Sequence, residues 1–139
     1  MPMIRTEIQD HIAMVTMDNA PVNAVNADFM REMIAALDRF NDLDEVRVVV
    51  LTGAGKAFCA GADIKARAGK VFEPGERWEH NRLARELGYS IMECKKPVIA
   101  AVNGAALGAG MGIAASCDIL MCSDNAVFGL PEVDVGLMG

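Results

Sequence analysis

Two stretches of this chain share one plan. VVVLTGAGKAFCAGAD (48–63) and VIAAVNGAALGAGMG (98–112) are each a run of buried-type residues, a turn at Gly53 or Gly104, and a small-residue segment with an Ala-Gly core. A unit used twice constrains the fold strongly, because each copy needs a neighbour to bury its apolar surface. The strand halves carry apolar residues on both faces, as strands of a parallel sheet do when other layers cover them.

The rest of the chain fits around these units. MIRTEIQD and HIAMVTMD partly alternate apolar and polar residues around Gln9-Asp10, which predicts a small antiparallel two-stranded ribbon. In NADFMREMIAALDRFNDLD, Phe29, Met30, Met33, Ile34, Leu37 and Phe40 fall on one helical face, with Asn26 as N-cap. VRVVVLTG reads as a buried strand that a helix-rich crossover should follow. The charged, glycine-containing loop at 66–77, around Glu73-Pro74-Gly75, is expected to be mobile, with a helix from about Glu76 to Cys94. PVIAAVNG is a second buried strand, GAGMGIAASC a helix, and DILMCSD a third strand of the same buried kind. Strand, helix, strand, helix, strand defines an α/β chain.

Composition removes several function classes. With 139 residues, 53% of them apolar, the chain has enough material for one domain with a core. A net charge of -6 supplies no basic face for nucleic acid or anionic lipid, so neither is expected as a partner. Cys59, Cys94, Cys117 and Cys122 have no CxxC spacing and read as reduced, mostly buried thiols. The N-terminus lacks the long apolar stretch of a signal peptide or membrane span, and a cytoplasmic location is expected. His11 and His80 have no metal-ligand or triad partner at a recognisable spacing; both read as surface residues, and no metal site is expected. VVVLTGAGKAF lacks the third glycine of a dinucleotide-binding turn, and no Ser or Thr follows Lys56 as a P-loop requires.

The small-residue turns remain. Where Gly and Ala lead from a strand into a helix, the first N–H groups have no intrahelical partner and no side chain screens them from a ligand. Two such turns can aim two N–H groups at one oxygen, the construction of an oxyanion hole. The same residues also permit close helix–sheet packing, and spacing alone does not choose between these roles. Glu132, in FGLPEVDVG, favours the first. An acid after Pro131 in a small apolar context following a buried strand is costly to bury unless paired or used as a proton shuttle. Beside an oxyanion hole it can abstract a proton alpha to the polarised carbonyl.

These residues resemble a known family. FCAGADIK (58–65), KPVIAAVNGAALGAGMGIAASCDIL (96–120) and AVFGLPEVDVGLMG (126–139) are similar, in order, to the signature blocks of the crotonase (enoyl-CoA hydratase/isomerase) superfamily. PVNAVN (21–26) resembles its first ligand-contacting segment. The resemblance implies an α/β ββα superhelix, a spiral core domain. It also implies that the backbone N–H groups of Ala62 and Ala109 form the oxyanion hole for an acyl-CoA thioester, with Glu132 as acid/base. Ala24, Ala60, Asp63, Ile64 and Lys65 would then lie around the coenzyme A moiety, with Lys65 a local cation for it. Coenzyme A enters as part of the substrate, with no tightly bound cofactor implied.

Three departures qualify the resemblance. Asn23 stands where many members carry a lysine. Gly112 stands where hydratases of the family carry a glutamate that pairs with the one matching Glu132 to hold and activate water. One glutamate suffices to move a proton between the alpha and gamma carbons, so isomerase or non-standard hydratase chemistry is favoured. The alternative is a catalytically impaired crotonase-like module that binds coenzyme A or assembles with other subunits. Family members are also typically about twice as long. Residues 1–139 are therefore expected to be an N-terminal core, ending before the C-terminal helices that complete the acyl pocket and the usual homo-oligomer, a trimer or dimer of trimers.

Overall fold

The computed structural model describes residues 1–63 and 71–136. The chain opens with β1 (Ile4–Gln9) and β2 (Ile12–Met17), paired antiparallel from Ile4↔Met17 to Gln9↔Ile12. Asp10 and His11 both adopt left-handed backbone conformations in the turn, and His11 Nδ1 lies 2.9 Å from the Glu45 carbonyl. The pair is not a free ribbon, because β2 continues in parallel register with β3 (Val48–Gly53), Ile12 opposite Val48.

Helix α1 (Ala27–Asn41) forms where the apolar periodicity placed it. The Asn26 side chain caps it by accepting from Phe29 N–H at 2.9 Å, filling one of the first-turn donors that otherwise lack partners. Phe29, Met30, Met33, Leu37 and Phe40 are buried and Ile34 is half-buried. They meet Ala13, Val15, Met17, Val49 and Leu51 from the covered sheet face in one continuous core.

Beyond β3 the chain does not cross over by a helix directly. It turns at Gly53 into β4 (Ala57–Cys59), and the second copy does the same, from β5 (Val98–Val102) through Gly104 into β6 (Ala105–Leu107). A Cβ at Gly53 would overlap the Ala57 carbonyl oxygen, and one at Gly104 the Lys56 carbonyl oxygen. Both turns must be glycine because backbone packs directly against them. A third copy, β7 (Ile119–Cys122) to β8 (Val127–Gly129), repeats the step. The result is a five-stranded sheet ordered β1-β2-β3-β5-β7 and a three-stranded parallel sheet ordered β4-β6-β8.

Helices α2 (Pro74–Met92) and α3 (Ala109–Ala115) follow β4 and β6, and a 3₁₀ helix (Pro131–Val135) follows β8. This is the ββα spiral that the resemblance implied. Helix α2 starts at Pro74, two residues earlier than expected, because proline is well suited to the first turn where its missing N–H costs nothing. Residues 64–70, including much of the anticipated mobile loop, lie outside the described residues.

Two expectations about burial are corrected. Among the described residues β7 is not buried: it is the last strand of its sheet, with Ile119 50% and Met121 63% exposed. Among the described residues β8 is likewise an exposed edge strand, so the strand before Glu132 is not buried there. Cys122, on β7, is exposed, whereas Cys59 is buried and Cys94 and Cys117 are half-buried.

Candidate active site

The site assembles at the C-terminal ends of β4, β6 and β8. Segment 22–25 runs beside 60–63: Ala60 N–H donates to the Val22 carbonyl (3.0 Å), Val25 N–H to Gly61 (2.8 Å), and Asp63 N–H to Val25 (2.9 Å). Val25 thus spends both its backbone groups on the flanks of Ala62, its bridge partner. In this parallel pattern the N–H and carbonyl of Ala62 point away from the bridge. Among the described residues no acceptor takes the Ala62 N–H.

Ala109 opens α3, so its N–H has no intrahelical acceptor, and none is found among the described residues. Two close approaches join the segments at the ends of β4 and β6. A Cβ on Gly61, at φ +109°, would lie 3.2 Å from the Leu107 carbonyl oxygen, and one on Gly110 would overlap that of Cys59. Residues 59–61 therefore pack on 107–110, bringing the segments of Ala62 and Ala109 together.

Glu132 reaches the same place from the 3₁₀ helix. Gly108 N–H donates to the Gly129 carbonyl (2.9 Å), setting the end of β6 beside the end of β8. From there Glu132 lays its carboxylate against Gly108. A Cβ on Gly108 would overlap Oε1 and stand 2.8 Å from Cδ, and φ is +53°. The left-handed backbone at 108 favours glycine, and its missing Cβ leaves the room the Glu132 carboxylate occupies. Glu132 Oε2 is buried without a hydrogen-bond partner among the described residues. An unpaired buried carboxylate oxygen costs on the order of 1–3 kcal/mol or more, so structures retain one where it has work to do.

The structure accordingly brings Ala24, Ala60, Ala62 and Asp63 together on one pair of segments, and Ala109 and Glu132 at the foot of α3. Ile64 and Lys65 lie outside the described residues. Gly112 sits one turn further along α3, exposed, and a Cβ there would meet nothing within 4 Å. Among the described residues, then, no packing demand calls for glycine at 112. Sequence reasoning missed Gly108, whose tell-tale is visible only in space. It also missed the role of Asn23, which is 1% exposed at φ +56° and hydrogen-bonded on both sides of its amide.

Around the site, burial pushes the Cys59 thiol up to about 11. It is therefore protonated near neutrality and unsuited to nucleophilic work. Among the described residues no cluster of His, Cys, Asp and Glu is arranged to hold a metal ion. No helix among them is long and apolar enough to cross a membrane.

A mixed five-stranded sheet and a parallel three-stranded sheet, wound as a ββα spiral, define an α/β fold. The family model for enoyl-CoA hydratase/isomerase matches residues 7–139, and the chain belongs to that family. It is 42% identical over 133 residues to the short-chain-enoyl-CoA hydratase of Clostridium acetobutylicum, covering 94% of this chain and 50% of that protein. It is 33% identical to a peroxisomal Delta(3,5)-Delta(2,4)-dienoyl-CoA isomerase of Arabidopsis thaliana, covering 84% of this chain and 46% of that one. The crystal structure of an enoyl-CoA hydratase from Bacillus anthracis superposes with a TM-score of 0.90 at 32% identity, covering 98% of this chain and 53% of that chain. The chain spans about half the length of the curated relatives it matches.

Proposed function

We propose that this chain is the N-terminal core of an acyl-CoA thioester enzyme in which the Ala62 and Ala109 N–H groups hold the thioester oxygen and Glu132 moves a proton. The observation that carries the reading is the Glu132 carboxylate, with one oxygen buried and unpaired, lodged against Gly108 at the residue before Ala109. As base, Glu132 takes the proton from the alpha carbon of a 3-enoyl thioester, and the electron pair left behind delocalises onto the thioester oxygen. Two fixed N–H donors stabilise that enolate; loss of one such donor typically costs about 10²–10³ in rate. Glu132, now protonated, returns the proton to the gamma carbon as the double bond moves into conjugation. The proton is conserved, and no other co-reactant is required.

Gly112 supports isomerisation, or hydration with water oriented by another group, over hydration by an acid pair. In the same reading Ala24, Ala60, Asp63, Ile64 and Lys65 line the coenzyme A moiety, no tightly bound cofactor is used, and the full-length protein is a cytoplasmic homo-oligomer. A second reading, a catalytically impaired module that binds coenzyme A or assembles with other subunits, draws on the same glycine.

The test is incubation with a 3-enoyl-CoA, followed by product mass and by absorbance of the conjugated thioester. Conjugation at constant mass marks the isomerase, and gain of one water marks a hydratase. Glu132→Gln should bind coenzyme A as before and lose turnover by at least about 100-fold. Turnover that survives this change would remove Glu132 from its role. Binding with neither product nor alpha-proton exchange in heavy water would leave the impaired module.

A further inference from the structure

We propose that Asn23 is a positioning residue that sets the direction of the Ala62 N–H; this rests on the reading just given for Ala62. Asn23 is the one buried polar side chain in the core of the described residues, at 1% exposure. Its backbone stands at φ +56°, a conformation asparagine tolerates better than most residues. Its N–H donates to the Asn19 carbonyl (2.8 Å) and its Oδ1 accepts from Asn19 N–H (3.0 Å), closing the 19–23 turn on itself. Its Nδ2 faces three carbonyl oxygens of the β3–β4 turn, Ala54 (3.0 Å), Ala57 (2.9 Å) and Phe58 (3.2 Å). Both halves of the amide are in use, with the acceptor on one segment and the donor on the other.

The consequence lies one residue before it and two after. Val22 and Val25, flanking Asn23, are the residues whose backbone holds Ala60, Gly61 and Asp63. The Asn23 amide fixes segment 22–25 against the start of β4, and the three backbone bonds then fix the stretch that follows β4 against segment 22–25. Ala62 is thereby held at both flanks with its N–H turned away from the bridge. A preorganised donor stabilises developing charge because it need not reorient when the charge appears. Asn23 touches no reacting atom in this scheme and acts only through the backbone of 22–25.

Asn103 provides the control, because it grips the same turn without touching segment 22–25. Its Oδ1 accepts from Gly53 N–H (3.0 Å), and its Nδ2 donates to the carbonyls of Gly55 (3.2 Å) and Ala57 (3.4 Å). The experiment uses the 139-residue chain. A 2-enoyl-CoA labelled with carbon-13 at the thioester carbonyl is bound, and the carbonyl stretch is read by difference infrared spectroscopy. Wild type should move the band to lower frequency. Asn23→Gly, which keeps the left-handed conformation and drops the amide, should lose at least half of that movement while still folding. Asn103→Ala should be less stable yet keep the movement. Full movement in folded Asn23→Gly, or equal loss in Asn103→Ala, overturns the proposal.

No movement in wild type overturns instead the assignment of Ala62 as a donor to the thioester, and the clamp is then judged separately. In unliganded wild type the Asn23 side-chain NH2 should exchange with solvent at least tenfold more slowly than that of exposed Asn125. Equal exchange would show that the clamp is not made, and this arm also decides the matter if Asn23→Gly does not fold.

Discussion

Replacing Gly108 by alanine tests the geometry of the site with a single methyl group. The added Cβ would overlap Glu132 Oε1 and stand 2.8 Å from Cδ, where ordinary contact begins at 3.4 Å. The carboxyl carbon must therefore retreat by the difference, about 0.6 Å, and the nearer oxygen by more. Misplacing a reacting group by about 1 Å costs on the order of 10²-fold in rate, so proton transfer should fall by roughly one to two orders of magnitude. A non-glycine residue at φ +53° also carries strain of about 1–3 kcal/mol, which should lower the unfolding free energy without abolishing folding. The assay is exchange of the alpha protons of a saturated acyl-CoA in heavy water, followed by mass, beside urea unfolding of the same samples. Folded Gly108→Ala with an exchange rate within twofold of wild type would refute the claim that Glu132 works from this position.

Gly112→Ala should fold and gain about 0.5–1 kcal/mol in urea unfolding, since a Cβ there meets nothing within 4 Å and alanine is the better helix former; a loss of stability would show a packing demand at 112. The thiols give a pH prediction. Burial raises Cys59 to about 11 and Cys117 to about 12 from the ordinary 9.0, so the unfolded chain releases these protons first. Their contribution to stability is whole below pH 9 and should fall by up to roughly 1.4 kcal/mol per pH unit per thiol above it, until the folded values are reached. Alkaline denaturation followed by circular dichroism, with Cys59→Ser as comparison, checks the slope, and a Cys59→Ser slope equal to wild type contradicts the assignment.

How far the fold could be read depended on how much of each element was local. The start of helix α1 and most of its buried stripe were legible because cap and stripe lie within one stretch, Asn26 to Phe40. The strand–glycine–small-residue echo was legible too. Its short strands, β4, β6 and β8, have only three residues each, too few to show an alternation, so the second sheet stayed hidden. β7 misled for a related reason. Ile119-Leu120-Met121-Cys122 is apolar throughout, like an interior strand, and composition does not record whether a neighbour lies on the far side.

The glycines show most sharply where sequence stops and structure begins. In NGAALGAGMG four of them look alike, yet space separates them into different jobs. Gly104 and Gly110 admit a neighbouring backbone, and Gly108 admits the Glu132 carboxylate. Gly112 admits nothing, for its missing side chain would point into open space. Packing explains the first three and is silent on the fourth. In the proposed reading Glu132 has no carboxylate partner at 112, and a proton shuttle needs only one carboxylate, so conjugation of a 3-enoyl thioester at constant mass is the outcome that separates it from an acid pair holding water.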